Sequence, residues 1–219
     1  MGRSRSDDDD RSLLERATHD LLNPVSSLLG FGETIRARGA SLGDDTIRQF
    51  GGSIARQAAR LETAIHDLGI ASRLLRRAPQ PEPADLSLST VLSAHASDRV
   101  HVEAPADLNV RADGDLLTDA IARLVANALE FSDGDVTIRA GRDHDVWIEI
   151  ADTGTGFAPE ALRGAFEPLT AGRNARNERG AGLGLGLFIA RRFIEAQGGT
   201  LSATSAPGEG SVFRIMLPG

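Results

Sequence analysis

The chain has 219 residues, 41% apolar and 25% charged, and a formal net charge of −7. That composition is ordinary for a globular protein, and it excludes collagen-like and wholly disordered chains. With no Cys there are no disulfides, thiolate metal sites or Cys nucleophile, and with no Tyr and few other aromatics the core must rest on Leu, Ile, Val and Ala. All 24 basic residues are Arg, so phosphate can be met only by guanidinium or backbone N–H groups. The acidic balance does not suit non-specific nucleic-acid binding. No apolar run approaches the length of about 18 residues that a membrane-spanning helix needs, so no membrane segment is expected in this chain.

Residues 1–11 carry an acidic run over 7–10 and read as a disordered leader or as the N-terminal flank of a helix, where acidic groups favour the helix dipole. From residue 12 to 38, Leu14, Ala17, Leu21, Val25, Leu28 and Ile35 recur in steps of three, four or seven, which predicts a helix. Residues 39–45 carry Gly39, Gly43, Asp44 and Asp45 as stop and start signals. A second helix is predicted over 46–76, with Ile47, Ile54, Leu61, Leu68 and Leu75 at heptad spacing. Two long helices joined by a short loop make an antiparallel hairpin over 12–77. Its apolar stripes are buried either by a second copy, giving a dimeric four-helix bundle, or against the rest of its own chain; the homodimer is expected.

Pro79, Pro81 and Pro83 end the helix and stiffen residues 78–85 into a linker, so a domain boundary is expected there. The remainder, 86–219, mixes helices and strands. A helix is predicted over 115–131, strands over 136–140 and 146–151, a helix over 187–197 ended by Gly198 and Gly199, and final strands over 200–204 and 211–217. The order implies an α+β fold in which helices cover one face of a sheet.

His19 is the histidine to single out. On a wheel of about 100° per residue that starts at Leu14, the apolar stripe centres near about −30°, whereas His19 falls near about 140° and Asn23 near about 180°. The two therefore stack on the face opposite the stripe, with Asp20 at its edge. Pro24 removes the bond to the Asp20 carbonyl and bends the helix beside this exposed imidazole. The run His19-Asp20-Leu21-Leu22-Asn23-Pro24, followed by Leu28-Leu29-Gly30-Phe31, resembles the phosphoacceptor box of HisKA-type sensor histidine kinases. Leu22 departs from that pattern, in which a basic residue is common.

Two glycine-rich segments carry the second signal. Asp152-Thr153-Gly154-Thr155-Gly156 follows an apolar strand and, alone, is also what many turns look like. Gly182-Leu183-Gly184-Leu185-Gly186-Leu187 leads straight into a helix, where successive backbone N–H groups can face a polyphosphate. It is neither a Walker loop, since no Gly-Lys-Ser/Thr follows, nor a Rossmann turn, since the glycines follow a polar loop. Together the two segments resemble the glycine boxes of the GHKL ATPase superfamily, which includes DNA gyrase and the histidine kinases. Phe166-Glu167-Pro168 is similar to the family's F box and Asn127 to its N-box metal ligand, and the boxes occur in the family's order.

The resemblance implies an N-terminal hairpin forming a dimeric four-helix bundle, then an α/β-sandwich ATP-binding domain. It implies that Asp152 accepts from the adenine amino group, that Gly154 and Gly156 let the backbone pass beside the nucleotide, and that Phe131 lies against adenine. Asn127 would hold Mg²⁺, Gly182, Gly184 and Gly186 would cradle the phosphates of ATP, and residues 170–181 would form a lid. His19 would take the phosphoryl group with Asp20 assisting, and pass it to an Asp of a response regulator; Asn23 would serve a phosphatase activity. A cytoplasmic location is expected. Arg123 and Glu130 depart from the family pattern, with Glu130 standing where a Lys is common near the phosphates; Arg123, or Arg173, Arg176 or Arg179 of the lid, could supply the positive charge. These departures favour an alternative, a scaffold that binds regulators without efficient ATP turnover. A serine kinase of the same superfamily is a further alternative, opposed by the His-bearing hairpin.

Overall fold

A computed structural model describes the backbone of residues 5–170 and 183–219, with side chains from Thr18 onward except those of His19, Asp20 and Ala40. The elements in chain order are α1 (Arg5–Arg38), α2 (Asp44–Arg76), β1 (Ala84–Ser87), α3 (Leu88–Ser93), β2 (Val100–Glu103), β3 (Asn109–Ala112), α4 (Gly114–Phe131), β4 (Val136–Arg142), β5 (Val146–Asp152), α5 (Pro159–Arg163), α6 (Gly186–Ala196), β6 (Thr200–Ala206) and β7 (Gly210–Leu217). A single 3₁₀ turn, Gly39–Ser41, joins α1 to α2. The chain divides into two compact units, a first that ends at Gly69 and a second that begins at Ile70.

In the first unit, α1 is helical from Arg5, inside the segment that reads as a leader, and continues through Pro24. Acidic sequence near a helix start suits the positive end of its dipole, which accounts for the earlier start. Leu21, Val25, Leu28 and Ile35 are half-buried, as the periodicity requires, and Phe31 meets Phe50 of α2 with ring centroids 5.2 Å apart. Leu22, Leu29, Ile47 and Ile65 remain exposed, at 55, 63, 39 and 57% of their full surface.

The second unit begins with the end of α2, where Ile70, Ala71 and Leu74 are buried. Its sheet has the order β2-β4-β5-β7-β6, with β2 parallel to β4 and the other neighbours antiparallel. β1 and β3 form a separate antiparallel ribbon. Side chains alternate across a strand, and along β5 Val146, Ile148 and Ile150 are fully buried while Trp147 and Glu149 between them are not. The buried face, with Ile138, Phe213, Ile215 and Leu217 from neighbouring strands, is the side that the helices cover. α4 contributes Leu117, Ile121 and Leu124 and α6 contributes Ile189 and Ile194, all fully buried. Burial of one such aliphatic side chain stabilises by about 1.5–3 kcal/mol, which makes this layer the main source of cohesion.

On the opposite face, Trp147 lies across Gly141 of β4, its register partner, and a Cβ there would fall 2.6 Å from the indole. Arg214 stands 5.5 Å from the same ring. Arg99 fixes the exit of α4, donating to the carbonyls of Ser132 at 2.7 Å and Gly134 at 2.8 Å. No described helix is long and apolar enough to cross a membrane.

The long elements match the periodicity closely, since α2, α4 and α6 each begin within two residues of the predicted start. β1, α3, β2, β3 and α5 have no counterpart in the sequence reading. Each is four to six residues long, too short to show a period, and the strands form by pairing with distant partners.

Candidate functional site

β5 ends on Asp152, which is only 7% exposed. A buried carboxylate needs donors, and this one accepts the Gly154 N–H at 2.8 Å together with the backbone N–H and hydroxyl of Ser211. Ser211 is its register partner on β7. Burial raises the Asp152 pKa above the usual carboxylate value, and the Gly154 and Ser211 hydrogen bonds oppose that rise without cancelling it. Ser205 completes the support: it accepts the Phe157 N–H at 2.8 Å, donates to the Gly210 carbonyl at 2.6 Å and lies 3.0 Å from the Ser211 hydroxyl.

The loop after Asp152 is wedged between the end of α4 and the β6–β7 turn. The Thr155 N–H donates to the Phe131 carbonyl at 3.2 Å, and the Thr155 carbonyl accepts the Gly208 N–H at 2.8 Å. A Cβ at Gly154 would overlap the Phe131 carbonyl oxygen. At Gly156 the backbone is left-handed, with φ +63°, and a Cβ would overlap the Ala206 carbonyl oxygen. Both glycines are therefore required by the fold itself.

α4 brings Asn127 and Phe131 to one helix edge, one turn apart and both half-buried. Arg123, one turn earlier, has its Nε 3.1 Å from Asp119 Oδ1, with 12% of its side chain exposed. One of the four guanidinium groups that could offer charge to phosphate is thus engaged by an acid of its own helix. Glu130 is exposed. The Asp119–Arg123 spacing of four residues is the signal that could have revealed the pair.

α6 starts at Gly186, preceded by Gly184 with φ +65°. Its N-cap residue, Leu185, makes no side-chain capping bond and none of the residues in its first turn is acidic. The first N–H groups of a helix lack intrahelical partners and carry partial positive charge, so this end suits an anion. Unlike Gly154 and Gly156, Gly186 has no described atom within 4 Å of where a Cβ would stand. Among the described residues, packing does not call for glycine there, and glycine weakens a helix by roughly 1 kcal/mol relative to Ala. A ligand lying close against the backbone would require it, so the residues present fit a phosphate-bearing nucleotide.

Asn127, Phe131, Asp152, Gly154, Gly156, Gly184 and Gly186 all lie in the second unit, on α4, the end of β5 and the entry to α6. Gly182 and Arg173 lie outside the described residues. In the first unit, Asn23 is exposed on α1 and its carbonyl accepts the Ser27 hydroxyl at 3.1 Å. The backbones of His19 and Asp20 belong to α1, and their side chains lie outside the described set. Ser205 and Ser211 were missed because their role depends on the β5–β7 register, although the Gly-Glu-Gly-Ser run at 208–211 marks the turn that creates it.

The family model described as histidine kinase-, DNA gyrase B-, and HSP90-like ATPase matches residues 112–219. The chain is 30% identical over 221 residues to the sensor-like histidine kinase SenX3 of Mycobacterium tuberculosis, a match covering 95% of this chain and 53% of that protein. It is 31% identical over 219 residues to the histidine protein kinase DivJ of Caulobacter vibrioides, covering 94% of this chain and 36% of that one. It therefore spans about half or less of the length of these curated relatives. Among solved structures, the Acinetobacter baumannii histidine kinase AdeS shares the fold with a TM-score of 0.68 at 22% identity, covering 91% of this chain and 97% of that one. Full-length ShkA in complex with AMPPNP gives a TM-score of 0.63 at 22% identity, covering 93% and 45%.

Two outcomes follow from this geometry. Because the folded-state pKa of Asp152 is raised, its contribution to stability is fully present below the unfolded carboxylate pKa and is lost as pH rises through the folded value. Asp152→Asn cannot ionise, so denaturant unfolding from below about pH 4 to pH 7 should show the variant gaining stability relative to wild type as pH rises; a pH-independent difference would contradict the burial argument. Gly186→Ala should leave the unliganded melting temperature unchanged or higher, by helix propensity, while weakening ATP binding about tenfold or more. A variant that melts lower and binds normally would assign Gly186 to packing.

Proposed function

We propose that the chain is the catalytic core of a sensor histidine kinase, with residues 112–219, matched by the histidine kinase-, DNA gyrase B-, and HSP90-like ATPase model, as its nucleotide domain, and that it moves the γ-phosphoryl group of ATP to His19 and from there to an aspartate of a response regulator. The observation that carries this reading is the start of α6, whose N-cap Leu185 offers no side-chain cap and where no described atom stands within 4 Å of a Cβ at Gly186.

The residues divide the work by chemistry. The Asp152 carboxylate is an acceptor suited to the adenine amino group, and Phe131 offers an aromatic face. The backbone N–H groups at Gly184 and Gly186 meet the phosphates, with no reorganisation needed at the moment of reaction. Asn127 would hold Mg²⁺, which neutralises phosphate charge while keeping most of its own waters. His19, neutral near physiological pH, attacks through Nε2 when Asp20 accepts the Nδ1–H. The Nε2–P bond forms as the P–O bond to ADP breaks, and Asp20 balances the positive ring. General-base assistance of this kind contributes about 10²–10⁴-fold. The reactive P–N product then passes its phosphoryl to a carboxylate of the regulator. Asn23, exposed one turn after His19 on α1, would orient a water for hydrolysis of the phosphorylated regulator.

The exposed Leu22, Leu29, Ile47 and Ile65 on the hairpin support a second copy as the partner that covers them, giving a four-helix bundle. Arg123 held by Asp119 and the exposed Glu130 favour a second reading, a scaffold that engages regulators without turning over ATP.

Incubation with ATP labelled at the γ-phosphate separates these readings. Wild type should take up label that is lost in acid and kept in base, and His19→Gln should take up none. Label on His19→Gln, or acid-stable label, would overturn the assignment of His19. A wild-type chain that binds nucleotide and stays unlabelled would be the scaffold.

A further inference from the structure

One residue away from the glycine loops joins three parts of the second unit. Asp113 follows β3 and caps α4, its Oδ1 accepting the N–H groups of Asp115 at 3.1 Å and Leu116 at 3.0 Å. An Asp N-cap makes such bonds wherever it occurs. Its other oxygen makes a bond that capping does not need. Oδ2 accepts the N–H of Glu82 at 2.8 Å, from 31 residues upstream. Glu82 stands between Pro81 and Pro83, so it alone of the three has an N–H to give. The Asp113 N–H in turn donates to Oε1 of Gln197 at 2.7 Å, just beyond the end of α6, and Gln197 Nε2 donates to the Phe193 carbonyl at 3.1 Å. The linker, the start of α4 and the end of α6 therefore meet at a single residue.

The two helices pack together, with the start of one meeting the end of the other. Asn127 lies about 20 Å along α4 from this tie, and Gly186 begins α6 about 16 Å from it. We infer that Asp113 and Gln197 are positioning residues that make nucleotide affinity depend on the seating of the linker. The Glu82–Asp113–Gln197 bonds fix the far ends of α4 and α6, and unseating the linker loosens the ends that carry Asn127 and the phosphate-facing amides. The role presupposes the nucleotide site proposed above. Leu86 of β1, the strand that follows the linker, lies beside the start of α4, its methyl groups 3.6 Å from where a Cβ of Gly114 would be. Burial alone would raise the Asp113 pKa; the amides of Glu82, Leu116 and Asp115 together outweigh it and hold the carboxyl below its usual value, so it is an acceptor at neutral pH.

The test uses the full chain, calorimetric titration with Mg²⁺–AMPPNP, and the unliganded melting temperature. Glu82→Ala keeps the linker N–H and should bind as wild type. Glu82→Pro removes that N–H, and Asp113→Asn keeps a capping oxygen while setting an NH₂ group against Glu82. Each should weaken binding about fivefold with a melting temperature close to wild type, and the double variant should bind no worse than either single one. Unchanged affinity in both single variants, losses that follow the melting temperature, or effects that multiply in the double variant would reduce Asp113 to a helix cap and overturn the inference. A wild-type chain that binds no nucleotide overturns the nucleotide site and the latch together, which is distinct from tight wild-type binding with indifferent variants.

Discussion

A carboxylate at the end of a central strand, nearly sealed from water, has to be solvated by the protein around it. For Asp152 that duty falls on one loop amide and on the N–H and hydroxyl of Ser211. These donors are available only if β7 pairs with β5 in the register that sets Ser211 opposite Asp152. The loop after Asp152 can close only if positions 154 and 156 carry no Cβ, because carbonyls from α4 and β6 occupy that space. The strand order, the hairpin turn and the loop sequence thus serve one polar group whose desolvation remains incompletely offset. A structural group would gain little from that arrangement. A group that must accept a hydrogen bond from a ligand gains a site in which water competes poorly.

The glycines of the two loops have different physical origins. Gly154 and Gly156 are demanded by the protein's own backbone, whereas the space beside Gly186 holds no described atom. A pattern of glycines cannot tell these cases apart, and only at the second is there room beside the backbone for a ligand. The same holds for the acidic and basic residues of α4. Arg123 and Glu130 both read in sequence as departures from the family pattern, with Glu130 opposing phosphate and Arg123 among the arginines that could supply charge to it, and Asp119 engages Arg123.

Much of this was legible in the sequence, for reasons that also explain what was not. The heptads of α2 and the amphipathic runs of α4 and α6 are long enough to show their periods, and the strand pairs near them alternate cleanly. β1 and β3 exist because Ala84 pairs with Ala112 and Ser87 with Asn109, and β2 because it lies parallel to β4; no local pattern encodes such pairings. Asp152, Asn127 and Gly186 could be named from motifs that the structure places on a strand end, a helix edge and a helix start. Ser211, Asp119, Asp113 and Gln197 escaped because each acts through a partner fixed by tertiary register or helix contact. Asp113 illustrates the limit well, since an Asp before an apolar run is an ordinary N-cap signal, and its bonds to Glu82 and Gln197 cross 31 and 84 residues.

The proposed nucleotide site depends on the buried Asp152 carboxylate reading a purine. Titration of the chain with Mg²⁺–ATP and Mg²⁺–GTP side by side tests this most directly. Asp152 is an acceptor, and adenine presents an amino donor where guanine presents a carbonyl oxygen. The predicted result is ATP binding at least about tenfold tighter than GTP, an interval of about 1.4 kcal/mol. Equal affinity for the two, or no binding of either, would contradict it.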